Sequence, residues 1–178
     1  MKTIITALYC LFAFTNYAQL SDAQLNKFRY QVDSASSLLH QSLLAKGQTV
    51  FTTVFTVDTF KVERMLKLKL KSDTTKDEQI LSIYDAEIEY DFLIGKYNKI
   101  LLNLYNEQDQ KTVIADQKKW IKYRDEQIAI SEKKYSEKVE GNQKDKTIAK
   151  SMDHLVLSKL RVIDLYNQIL TSPLFENE

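Results

Sequence analysis

Apolar residues recur every three or four positions in five stretches of the chain, separated by short polar breaks. That is the spacing of amphipathic helices. Ser21 is placed to cap a first helix, whose apolar face is Leu25, Phe28, Val32, Ala35, Leu39 and Leu43, with Gly47 as its stop. Residues 48–57 are rich in β-branched and aromatic side chains, a composition that also suits a strand. No second strand is evident for it to pair with, so the expectation is an extended or loosely helical connector with its apolar residues on the core. Asp58 is expected to cap a second helix through about Lys71, with Phe60, Met65 and Leu68 inward; the alternation of Lys67, Lys69 and Lys71 with Leu68 and Leu70 also fits a strand.

After the break at Ser72-Asp73-Thr74-Thr75, the pair Thr75 and Glu78 forms a capping box. A third helix is predicted from there to about Tyr105, carrying Ile80, Ile83, Tyr84, Ile94, Tyr97, Leu101 and Leu104. A polar turn at 106–109 precedes a fourth helix, with Val113, Ile114, Trp120, Ile121, Arg124 and Ile128, ending near Val139. Gly141-Asn142 separates it from a fifth, with Ile148, Met152, Leu155, Val156, Ile163, Tyr166 and Leu170, and Pro173 just past its end. The pattern predicts an all-α fold: an antiparallel helical bundle of long helices built mainly from residues 75–171, with an amino-terminal helix and connector packed on it.

The amino end reads differently. Met1-Lys2 leads into the apolar run Ile4–Phe14, the length of a signal-peptide core and too short to span a bilayer. Cleavage is expected after Ala18, giving a signal peptide over 1–18, an amino-terminal helix and connector over 19–73 and a helical domain over 74–172. The expectation is an exported protein, periplasmic or secreted, with no stable membrane insertion once the signal is removed. Cys10, the only cysteine, leaves with that segment, so no disulfide is available to the mature chain. Twenty-five Lys and Arg stand against 24 Asp and Glu. That balance argues against nucleic-acid binding, which needs a basic surface.

Catalytic and metal constellations are sparse. His40 and His154 stand outside any Glu-x-x-His or His-Glu-x-x-His pattern. Glycines at 47, 95 and 141 make no phosphate loop, and there is no Gly-x-Ser-x-Gly elbow. Asp85 with Glu89, and Glu87 with Asp91, are each four apart on one helix face. Two acids so placed suit general acid and base roles, but the plainer reading is a solvated face with one member meeting a cation. No catalytic, cofactor or metal residue is assigned.

The most distinctive stretch is Asp116-Gln117-Lys118-Lys119-Trp120-Ile121-Lys122-Tyr123-Arg124-Asp125. Trp120 and Arg124 lie four apart on one face, where a guanidinium stacks on an indole and holds a carboxylate from another helix. Gln117 lies one turn earlier. An Arg on the Trp side is expected to be partly buried and to need an acid, with Asp91 the candidate.

This stretch resembles the lysozyme-inhibitor LprI-like family of small exported bacterial helical domains, through Gln117, Trp120, Ile121, Tyr123, Arg124 and Asp125. Upstream, Asp91 and Ile94 fit the family pattern, with Gly95 where Asn is expected and Tyr97-Asn98 straddling the Tyr. Downstream, Ser158, Arg161 and Leu165 fit its Ser/Thr, Arg and Leu spacing. The likeness covers about residues 74–170. Many members carry a cysteine near the positions of Ile128 and Asp153; this chain lacks both, and keeps one glycine, Gly141, of the loop between the last two helices. The resemblance implies a non-enzymatic binding protein whose partner is a lysozyme-like glycosidase, with Trp120, Arg124 and Arg161 orienting helices. Because animal lysozymes are basic, an acidic patch from Asp85, Glu87 and Glu89 beside Asp91 is the expected partner contact. The alternative is an envelope structural or interaction module with no lysozyme partner; an exposed aromatic cluster near residues 50–60 would favour it.

Overall fold

The computed structural model describes residues 20–136 and 142–175; the expected signal peptide, its cleavage site, the end of the fourth helix near Val139 and Gly141 lie outside them. The described residues are all-α, with five helices: α1 (Asp22–Ala45), α2 (Val50–Ser72), α3 (Lys76–Leu104), α4 (Glu107–Ser136) and α5 (Gln143–Thr171).

The helix starts are written locally. Ser21, Thr49, Thr75 and Asn142 each accept a backbone N–H of the first turn through the side chain. Thr75 and Glu78 complete the predicted capping box, with the Glu78 carboxylate accepting from the Thr75 amide at 2.8 Å. Gly47 turns the chain between α1 and α2 at φ +79°, a conformation side chains resist.

One sequence expectation is corrected here. Residues 48–57 are not a connector: Thr49 caps a single uninterrupted helix through Ser72. Asp58 is therefore no cap; it lies two turns inside α2 and accepts from Tyr97 Oη at 2.8 Å. Weak helix propensity of Val and Thr costs only tenths of a kcal/mol per residue, and packing outweighs it. Phe55 stacks on Tyr166 at 3.8 Å between ring centroids, and Phe51 meets Tyr97, Tyr166 and Phe175. Of the apolar residues of 48–57, Phe51 and Phe55 pack on the core as expected, whereas Val50 is exposed.

The core is centred on α3 and α5. Ile83, Tyr90, Ile94, Tyr97 and Leu101 of α3 pack against Leu155, Val162, Leu165 and Ile169 of α5, joined by Val62 and Leu66 of α2. Sequence neighbours run antiparallel, so α3 and α5 lie parallel. Lys144 of α5 pairs with Asp77 of α3, and about four turns of helix further on Ser158 donates to Asp91, both with an offset of 67 residues. α2 packs on α3, α1 on α2, and α4 mainly on α5.

Several residues expected inward face outward. Tyr84, Ile114, Ile121, Met152, Val156 and Ile163 are exposed, while Tyr90, Val162, Leu165 and Ile169 supply buried surface. In α2 the deepest apolar residues are Val62 and Leu66 rather than Phe60, Met65 and Leu68. Among the described residues of α4, Ser131 alone is buried. Among the described residues, no helix is long and apolar enough to cross a membrane.

Candidate functional site

The distinctive residues of α3, α4 and α5 converge on one place. Trp120 projects from α4 onto the core, with the Arg124 guanidinium 5.2 Å and the Arg161 guanidinium 5.5 Å from its ring centroid. Such contacts stabilise by about 0.5–2 kcal/mol each, more where water is excluded.

Arg161 is the buried cation, only 4 % exposed. Its Nη2 donates to Asp116 Oδ2 at 2.8 Å and to Gln117 Oε1 at 2.9 Å; Nη1 donates to Asp164. A buried guanidinium without such partners would be strongly destabilising. Arg124 is less enclosed, its side chain 28 % exposed, and it reaches Asp91 at 4.0 Å and Asp125 at 3.5 Å. The expected Asp91 pairing is present, at the outer limit of an ion pair. Asp91 also accepts from Ser158 Oγ at 3.2 Å. Leu165 is fully buried in the core, whereas Tyr123 is exposed.

Asp116 opens the distinctive stretch but carries no expected role there, and Asp164 lies outside it. Asp164 had a local signal, since it lies three residues after Arg161 on one helix. A second junction was also missed: Glu63 of α2 accepts from Tyr90 of α3 at 2.7 Å and from Lys159 of α5. Burial works to raise the Glu63 carboxyl, but the bonds from Lys159 and Tyr90 outweigh it and hold it below its usual range.

The four acids of α3 do not form one face. Asp85 and Glu89 lie on the side of α1 and α2, where Asp85 meets Lys69 at 2.6 Å. Glu87 lies with Asp91 toward α4: burial, with Asp91 beside it, pushes the Glu87 carboxyl up, opposed by Arg124. The expected contact trio of Asp85, Glu87 and Glu89 is therefore split across the helix.

Where the resemblance would put a disulfide, polar pairs join α4 to α5. Ser131 donates to Asp153 at 3.3 Å, and Lys150 meets Glu132 at 2.9 Å. Among the described residues, no cluster of three or more His, Cys, Asp or Glu is placed to hold a metal. Burial lowers the His154 pKa. The aromatic residues at 50–60 are partly buried rather than an exposed cluster. No family model, no curated protein and no solved structure matches the chain.

Proposed function

We propose that the chain is an exported, non-enzymatic binding protein of the cell envelope that inhibits a lysozyme-like glycosidase by covering its substrate cleft. The observation that carries this reading is the convergence of Asp91, Gln117, Trp120, Arg124, Ser158 and Arg161. These residues of the LprI-like resemblance are spread over 71 positions on three helices, yet they form one continuous chain of contacts from Ser158 through Asp91 and Arg124 to Trp120, Arg161 and Gln117. This convergence supports the resemblance. They are spent on internal pairs, which suits a scaffold role and leaves partner contact to other surfaces. Asp85 holds Lys69, and Asp91 meets Arg124 and Ser158; acids so engaged make a poor acid–base pair.

The test is titration of the purified protein into a cell-wall lysis assay with a panel of lysozymes. Dose-dependent inhibition of at least one is expected. No inhibition by folded protein across the panel would refute the reading.

A second reading, an envelope interaction module with no lysozyme partner, is favoured by the exposed apolar face Leu81, Tyr84, Ile88 and Phe92 on α3. Its test is capture of an envelope protein that Phe92→Asp abolishes while lysozyme activity stays unaffected.

A further inference from the structure

We propose that the groove between α1 and α3 is a docking site for a basic amphipathic helix, about three turns long, from a partner protein. α1 packs on α2 and α2 on α3, which leaves a channel between the parallel helices α1 and α3 with α2 as its floor. Three adjoining hollows of about 330, 320 and 290 Å³ make up this channel. The first and second share Leu25, Lys69, Ser82 and Asp85; the first and third share Arg29, Val62, Met65 and Glu89.

The floor is apolar, with Val62, Met65 and Leu66 of α2 beside Ala86 of α3. The rim is acidic. Lys61 and Lys69 are already paired with Asp33 and Asp85. Of the remaining charges, Asp22, Asp73, Glu78 and Glu89 stand against Arg29, and Glu78 already accepts from the Thr74 and Thr75 amides. Among the described residues Glu89 has no ion-pair partner.

This arrangement states the occupant's chemistry. An apolar floor walled by two helices takes the apolar face of a third, with anchors every three or four residues. An acidic rim selects lysine or arginine on the flanks of that helix and disfavours acids there. Glu78 to Glu89 spans about 17 Å of α3 at 1.5 Å per residue, which sets the length of roughly three turns. Seating such a helix would bridge α1 and α3 across the mouth of the channel, opposite α2, completing a four-helix arrangement.

The inference stands apart from the lysozyme reading, because its assay contains no glycosidase. The probe is a fluorescent 14-residue helical peptide with leucines on one face and lysines on the flanks, read by anisotropy against the purified protein. Its counterpart carries glutamates in place of the lysines. Saturable binding of the basic peptide is expected, with at least ten-fold weaker binding of the acidic one.

Glu89→Lys, at an exposed position, and Met65→Asn, which makes the floor polar, should each weaken the basic peptide about ten-fold. Phe92→Asp and Leu160→Asp, at exposed positions that line none of the three hollows, should leave binding unchanged. Circular dichroism checks that every variant is folded. Absence of binding, equal binding of both peptides, or binding that ignores Glu89→Lys and Met65→Asn would overturn the proposal. Loss of binding on Phe92→Asp alone would also overturn it, by moving the site beyond the three hollows.

Discussion

Arg161→Ala removes the one cation enclosed at the junction of α4 and α5. The bond to Gln117 is a charge-assisted one inside the protein, and its loss leaves the amide oxygen with less than it had, about 1 kcal/mol. The contact with Trp120 adds about 1 kcal/mol. The aliphatic stem, buried along its length, adds about 1–2 kcal/mol of lost packing. Asp116 and Asp164 contribute less than buried partners would, because their side chains are 48 % and 51 % exposed and rehydrate when the guanidinium goes. The expected loss is roughly 3 kcal/mol in all. For a chain of this size that lowers the melting temperature by about 6–12 °C. The assay is thermal unfolding followed by circular dichroism, with Arg161→Lys and Arg124→Ala alongside. Lysine keeps the charge but not the fork that reaches Asp116 and Gln117 together, so it should restore less than half of the loss. Arg124→Ala breaks a looser, partly solvated pair and should cost only about 1 kcal/mol. A melt of Arg161→Ala within 2 °C of wild type, by the same measurement, would refute the assignment of this side chain as the anchor of α4. Equal losses at Arg124 and Arg161 would refute the ranking by burial.

Three further outcomes follow from single sites. Burial raises the Glu87 carboxyl above its ordinary 4.5, so the folded state carries a penalty for the charge that is present above the folded pKa and fades as pH falls toward 4.5; Glu87→Gln should raise the melting temperature at pH 7, with the gain vanishing near pH 4. Thr53 is fully buried, and its hydroxyl has no hydrogen-bond partner; Thr53→Val should stabilise by about 1 kcal/mol in chemical denaturation, and a loss would show that the hydroxyl is satisfied. Gly95 lies within α3, where an added Cβ meets nothing within 4 Å; Gly95→Ala should stabilise by about 1 kcal/mol, read as a shifted denaturation midpoint with an unchanged slope.

The residues that made the fold legible were the local ones. Ser21, Thr49, Thr75 and Asn142 all cap helices through contacts three residues away or fewer, and such signals survive in a bare sequence. Ser21, the Thr75–Glu78 box and the Gly141-Asn142 break are legible in the sequence; the cap at Thr49 is hidden by the β-branched run that follows it. What propensity could not show was that Phe51 and Phe55 meet Tyr166 across 115 and 111 residues, the tertiary term that makes 50–57 helical. Inward positions were misread for a related reason. α3 and α5 each carry a second apolar stripe, Leu81-Tyr84-Ile88-Phe92 and Met152-Val156-Leu160-Ile163, on the face away from the core. Periodicity gives two candidate faces and no means to choose. At the site, Trp120 and Arg124 declared themselves by spacing, whereas the deeper role of Arg161 depends on Asp116 and Gln117, 45 and 44 positions away.

The parallel pairing of α3 with α5 bears on how the chain reaches its native state. An up-and-down bundle zips from neighbour to neighbour, and its early contacts are short in sequence. Here the principal core interface joins segments 67 residues apart, so α4 must traverse and return before Ile83, Ile94 and Leu101 find Leu155, Val162 and Ile169. Closing that loop is an entropic toll collected ahead of any reward from burial. Folding should therefore run slower than helix content alone implies, with a transition state in which α3 and α5 are already joined. A polypeptide ending before α5 would present the α3 face naked to solvent, and no partial chain from the amino end is expected to hold a native core.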